Sequence, residues 1–289
     1  MSEITNVGIN KQHNNSGNSF KTIAGVTAGI GSSALLYNTI SKRSDNYFTK
    51  KFFEVNNNVN SDVIRSSLNS TLKKSGMKDK HVKIIDFARY DLNKSPRNYD
   101  IKSLKEFVVK FPKIISNEMK HNMISSAQNG FNSFYVSGKY NKILINTNKL
   151  PLTGFHEIGH SINANNSKFW NGVAKFGGRL KLAPLIIAGI AIATRNKPEG
   201  EEPEGIKDST ISFIKNNAGL LTLASFTPML AEELKASQNG NKLAKEFLSP
   251  DLAKKVLKSN KYGAASYIVL ALATSLAVSV GSKVRDMID

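Results

Sequence analysis

The residues best placed to do chemistry are His156, Glu157 and His160, in the run His156-Glu157-Ile158-Gly159-His160. On a helix the two histidines, four positions apart, project from one face and can present ring nitrogens to a single tetrahedral ion, and the expected ion is Zn²⁺. Glu157 then lies beside the metal and not on it. That position suits a general base, taking a proton from water whose pKa the ion has lowered towards about 7. The chain holds only 5 histidines in 289 residues, so chance would place this pattern on the order of a few times per thousand such chains. The sequence contains no cysteine, which excludes disulfides, thiolate ligands and a cysteine nucleophile, and leaves His, Asp and Glu as metal ligands.

Two imidazoles need a third ligand. A catalytic zinc keeps three protein ligands and an open position, so a carboxylate is sought downstream, where Glu232 and Glu233 stand as neighbours. They differ by about 100° around a helix, and only one can face the ion. The carboxylates at 199–204 fall in an acidic connector, and Glu246 and Asp251 in a solvated, lysine-rich stretch.

The elements that must position these residues follow from composition and periodicity. Residues 1–20 are polar, lack the basic start of a secretory signal and are expected to be a disordered lead. A membrane-spanning helix is expected over 21–41, with Gly25 and Gly29 as a small-residue face; a packed soluble helix is the rival reading. From 42 to 181 the composition is that of a water-facing, lysine-rich catalytic subdomain. Helices are expected over 45–75 and 101–127, the second from the spacing of Leu104, Phe107, Val108 and Phe111. A strand is expected at Val82–Phe87, and a hairpin of Phe134–Val136 and Lys142–Asn146, turning through Ser137–Tyr140, leads into the histidine helix. Such a strand could hold an extended peptide by backbone pairing, which nominates Asn132, Phe134 and Tyr135 as substrate-binding residues.

Residues 182–289 are expected to form a helical half: an apolar hairpin over 182–230, a third-ligand helix over 231–262, and a charge-free terminal transmembrane helix over 263–281. The hairpin's arms are joined by the acidic connector, 195–209. The formal charge of +18 is spread along the chain without a nucleic-acid-binding signature, so nucleic acid is not an expected partner; membrane lipid and a protein or peptide substrate are. Lys42, Arg43, Arg179, Lys181 and Lys235 flank the apolar segments and place the catalytic part on the cytoplasmic side of a multi-pass protein.

Together these pieces resemble the gluzincin peptidases, and more narrowly the neutral zinc metallopeptidases of bacterial membranes, with the heat-shock and prenyl-protein membrane proteases further away. The matching pieces are Asn132-Ser133-Phe134 with Ile143-Leu144-Ile145-Asn146, Phe155 to His160, Glu233-Leu234-Lys235-Ala236-Ser237, and Ala264-Ala265-Ser266-Tyr267. The resemblance implies an α+β, zincin-like fold, with His156, His160 and Glu233 as zinc ligands and Glu157 as base. It favours Glu233 over Glu232 because Glu233 stands three residues before Ala236. The distant relatives carry an Asp after that alanine, where this chain has Ser237. An oxyanion donor is sought among Tyr135, Tyr262 and Tyr267. His81 and His121 have no motif to hold them in a catalytic role, and Trp170 is expected to anchor its segment in a core or at a membrane interface. The competing readings are a non-catalytic membrane protein that keeps a zinc site and a soluble zinc peptidase with buried apolar helices.

Overall fold

The computed structural model describes residues 15–57, 59–89, 117–138, 140–196 and 203–288. Within them the chain is mostly helical, with one small sheet. In order come α1 (Asn15–Asn57), α2 (Ser61–Lys74), β1 (Lys83–Asp86), α3 (Asn117–Gln128), β2 (Phe134–Val136), β3 (Lys142–Ile145), α4 (Thr153–Asn166), α5 (Lys168–Arg179), α6 (Ala183–Ala193), α7 (Gly205–Asn216), α8 (Ala218–Phe247) and α9 (Pro250–Met287). The chain divides into two compact units. One gathers 39–182 and 223–273, and the other gathers the segments up to 38, 183–222 and 274–289.

In the first unit β3 is the central strand, parallel to β1 and antiparallel to β2, with Ile143 opposite both Ile84 and Tyr135. The two-residue period of a strand sends alternate side chains to opposite faces. Ile143 and Ile145 therefore join a core with Ile64 and Leu68 of α2, Phe155 and Ile158 of α4, Leu243 of α8 and Val256 of α9. Leu144 joins a second core with Ile85, Phe87 and Ala127. Asn60 caps α2, its side chain accepting from the Asp62 and Val63 amides.

Two buried polar residues fix the entry to α4. The Asp86 carboxylate accepts from the Thr147 amide at 3.0 Å, the Thr147 hydroxyl at 2.7 Å and Arg65 Nε at 2.8 Å, tying the end of β1 to the loop after β3. Asn56 Oδ1 accepts from the Leu152 amide at 3.0 Å, while Asn56 Nδ2 donates to Ser259 Oγ at 3.1 Å. The start of the histidine helix is thereby held from α1 and α9.

The second unit contains α6, α7 and parts of α1, α8 and α9. Small residues bring its helices close: a Cβ on Gly29 would stand 2.8 Å from the Gly281 carbonyl, and Ser33 Oγ donates to the Ala277 carbonyl at 2.8 Å. Membrane helices associate through such small-residue contacts. Among the described residues three helical stretches, Lys21–Asn57, Lys168–Ala193 and Pro250–Met287, are long and apolar enough to cross a membrane.

Several expected boundaries shift. Asn15–Phe20 is helical and opens α1, instead of belonging to a disordered lead; residues 1–14 lie outside the described ones. The helical run expected over 45–75 is two helices, ending at Asn57 and restarting at Ser61, because Asn60 takes the extended conformation of an N-cap. Of the helix expected over 101–127 the described part is α3, and Leu104, Phe107, Val108 and Phe111 fall outside the described residues, as do Lys139 of the hairpin turn and 197–202 of the connector. The connector gives way to α7 at Gly205. The second apolar arm is split at Asn217: residues 211–216 belong to α7, while 218–230 continue into the expected third-ligand helix as α8. That helix runs through Pro228, where proline leaves the Ala224 carbonyl without its intrahelical N–H partner, and ends at Phe247 instead of reaching 262. The lysine-rich stretch after Ser249 and the terminal apolar segment are likewise one helix, α9.

Candidate metal centre

The site lies where α4 crosses α8. The approach is set by glycine: a Cβ on Gly159 would stand 2.0 Å from the Ala236 carbonyl oxygen, and one on Gly240 would stand 2.6 Å from the Phe155 carbonyl oxygen. Any larger side chain at either position would push the helices apart. Ala236 is fully buried at this crossing, so the small residue three positions after Glu233 has a packing reason.

With the backbones in contact, side chains from both helices reach one point. Glu233 Oε2 lies 3.1 Å from His156 Nε2 and 3.5 Å from His160 Nε2, and the two Nε2 atoms are 2.9 Å apart. The rings meet edge to face, with centroids 4.5 Å apart. In a tetrahedral site with metal–ligand bonds near 2.0–2.1 Å, ligand atoms stand about 3.3 Å from one another; the three separations bracket that value. The chemistry of the donors fits as well. If both imidazoles carry their proton on Nδ1, the two Nε2 lone pairs face each other and the Glu233 carboxylate, an arrangement that needs a cation. Among the described residues this is the one group of three His, Asp or Glu ligand atoms that converges, all within 4.8 Å.

The outer nitrogens are also held. Ser237, one turn beyond Glu233, places Oγ 3.1 Å from His156 Nδ1. Glu232 places Oε2 2.8 Å and Oε1 3.0 Å from His160 Nδ1, and Asn163 Nδ2 donates to Glu232 Oε1 at 2.9 Å. Asn239 Nδ2 in turn donates to Asn163 Oδ1 at 2.7 Å. Glu232 is therefore the partner of His160's outer nitrogen, and the neighbour that turns to the ring nitrogens facing the metal position is Glu233. Such outer carboxylates fix the tautomer and raise the basicity of a ligand imidazole.

Electrostatics agree with a site built for positive charge. Burial opposes protonation of His160, but the Glu233 and Glu232 carboxylates outweigh it and hold its pKa well above the ordinary histidine value. Burial likewise pushes Glu233 up, and the two histidines reverse this and hold its carboxyl far below the usual carboxylate range.

Glu157 is buried and shares none of these contacts; its Oε1 accepts from Ser133 Oγ at 2.7 Å. It lines a cleft of about 460 Å³ together with His156, His160, Glu232 and Glu233. Asn132, Phe134 and Tyr135 line the same cleft from the β2 side. Tyr135 is committed, its hydroxyl donating to Asn141 Oδ1 and accepting from Asn165 Nδ2 at 3.0 Å, and burial pushes its pKa up to about 12. Tyr267 also lines the cleft, whereas Tyr262 does not. His81 is exposed, in a left-handed turn ahead of β1, and the His121 side chain lies outside the described residues.

Ser133, Asn163 and Asn239 carry no role in the sequence reading. Asn163 had a signal, since it follows His160 by three residues on the same helix and so shares its face. Ser133 lies within Asn132-Ser133-Phe134, one of the pieces that carry the resemblance, but the resemblance attaches no role to it. No family model, curated protein or solved structure matches the chain.

Proposed function

We propose that the chain is a membrane-associated zinc metallopeptidase with a zincin-like catalytic unit, and that His156, His160 and Glu233 hold the metal. The observation that carries this is the convergence of two Nε2 atoms and one carboxylate oxygen at tetrahedral spacing, with Glu157 beside them and outside the ligand set. Zinc fits a His₂Glu set in a chain without cysteine. Bound there, zinc would supply Lewis-acid polarisation of a carbonyl and acidify water.

The chain's own residues do the rest. Glu157, aimed by the Ser133 hydroxyl, accepts a proton from the attacking water. It delivers that proton to the amine nitrogen as the C–N bond breaks. Water's oxygen goes to the new carboxyl group. Asn132, Phe134 and Tyr135 border the substrate cleft at β2, the outer strand of the sheet among the described residues, where an extended peptide could pair. Tyr267, which also lines the cleft, is the tyrosine that would serve as an oxyanion donor. The apolar parts of α1 and α9 would cross the bilayer, and the lysine and arginine flanks favour a cytoplasmic catalytic unit.

The reading is tested by metal analysis of the purified chain together with proteolysis of a denatured protein substrate. Glu157→Gln should keep zinc and lose at least ~100-fold in turnover, as expected when a general base is removed. Equal turnover by this variant, or a wild-type chain without stoichiometric metal, would refute the assignment.

A further inference from the structure

The helix that follows the metal helix carries a face the site leaves unused. In α5, Phe169 and Phe176 are 69% and 54% exposed; seven residues apart, they lie side by side along the helix. Lys168, Lys175 and Arg179 share an adjoining stripe, Lys175 at the rim of the cleft. A third side is docked, since a Cβ on Gly177 would stand 3.2 Å from the Met229 amide nitrogen. Asn171 and Ala174 look into the cleft. The helix is thus anchored on one side, lines the cleft on another, and offers water an aromatic stripe edged with cations.

The chain then passes through Leu180–Leu182 into α6, which has 11 residues and no charge. Eleven residues of helix span only about 16 Å, against a hydrocarbon layer of about 30 Å. To cross, the Lys168–Ala193 stretch would need α5 as well, and that would put Lys175 and Arg179 into hydrocarbon. An α5 lying along the surface avoids this. It keeps the cations at the headgroups and puts the aromatic stripe at the acyl boundary, the arrangement of an interfacial amphipathic helix.

We propose that α5 is such a helix. Its occupant is an anionic bilayer surface, with Phe169 and Phe176 inserted and Lys168 and Arg179 among the lipid phosphates. The cleft, which shares α5 as a wall, then opens at the membrane surface, and its substrates are peptide segments presented there. The placement of α5 rests on the membrane reading above and is independent of hydrolysis, whereas the substrate class rests on the peptidase reading as well.

Trp170 is the sole tryptophan of the chain, stacked edge to face on Phe169 with centroids 5.1 Å apart, so its fluorescence reports on α5 alone. The full chain is reconstituted into phosphatidylcholine vesicles with and without phosphatidylglycerol, carrying lipids brominated either near the carbonyls or near the chain ends. Quenching by the shallow bromines should exceed that by the deep ones about twofold, and should increase with phosphatidylglycerol. Phe169→Asp combined with Phe176→Asp should remove most of it while zinc content stays at the wild-type level. Deep quenching that equals or exceeds the shallow would overturn the proposal in favour of a spanning helix. Absent quenching would overturn it in favour of a face turned to water or protein, and equal quenching in both lipids would overturn the anionic assignment. Flotation of the same vesicles separates the two layers of the argument: a chain that floats with unquenched Trp170 refutes only the α5 proposal, whereas one that does not float refutes the membrane reading itself.

Discussion

Replacing Glu232 by alanine tests the architecture of the metal centre more sharply than removing a ligand. Glu232 reaches no ring nitrogen facing the metal position, yet both its oxygens lie within 3.0 Å of His160 Nδ1, and Asn163 steadies one of them. Alanine would free the His160 ring to rotate, remove the acceptor that fixes its tautomer, and leave the buried Asn163 amide with one partner fewer. Loss of such an outer carboxylate typically weakens metal binding by about 10- to 100-fold, equivalent to ~1.4–2.7 kcal/mol. Glu232→Gln keeps an oxygen acceptor without the charge and should fall between wild type and alanine, since charge-assisted hydrogen bonds are about twice as strong as neutral ones. Glu233→Ala removes a ligand outright and should weaken binding more than Glu232→Ala, by roughly a further tenfold. Competition of each purified variant against a chromophoric zinc chelator gives the three affinities on one scale. Zinc binding by Glu232→Ala within twofold of wild type would refute the outer-shell role, and a loss exceeding that of Glu233→Ala would show that the neighbours had exchanged functions.

Gly159→Ala should be among the most damaging small substitutions in the chain, because its Cβ would stand 2.0 Å from the Ala236 carbonyl. It should lower stability by ~3 kcal/mol or more, beyond the usual range for overpacking because backbone and not side chain must move; thermal unfolding read with zinc content checks this, and a melting temperature unchanged from wild type would contradict the α4–α8 crossing. Ser133→Ala should keep zinc but lower kcat by ~10-fold, as expected when a buried carboxylate loses its hydrogen-bond donor; kinetics showing only a KM change would remove Ser133 from the positioning of Glu157.

Much of the site was legible in the chain itself. The helical spacing of His156 and His160 fixes their common face, the lack of cysteine leaves only His, Asp and Glu as candidate ligands, and alternation around Ile143-Leu144-Ile145 sets which side chains of β3 face α4. These are local properties, decided by backbone periods of 3.6 and 2. The choice between Glu232 and Glu233 was not local: both carboxylates reach the histidines, on different nitrogens, and which one faces the metal position depends on the depth to which Gly159 and Gly240 let α4 and α8 approach. The continuity of α8 through Pro228 and of α9 through residue 262 also escaped the sequence, since a change in composition along a helix alters what it packs against without ending it. The same holds for the grouping of segments into units, where 1–38, 183–222 and 274–289 come together from three separate parts of the chain. Contacts between residues hundreds of positions apart, such as Ser33 with Ala277 or Asn56 with Ser259, leave no periodicity in a linear sequence, and only the packed tertiary structure decides them.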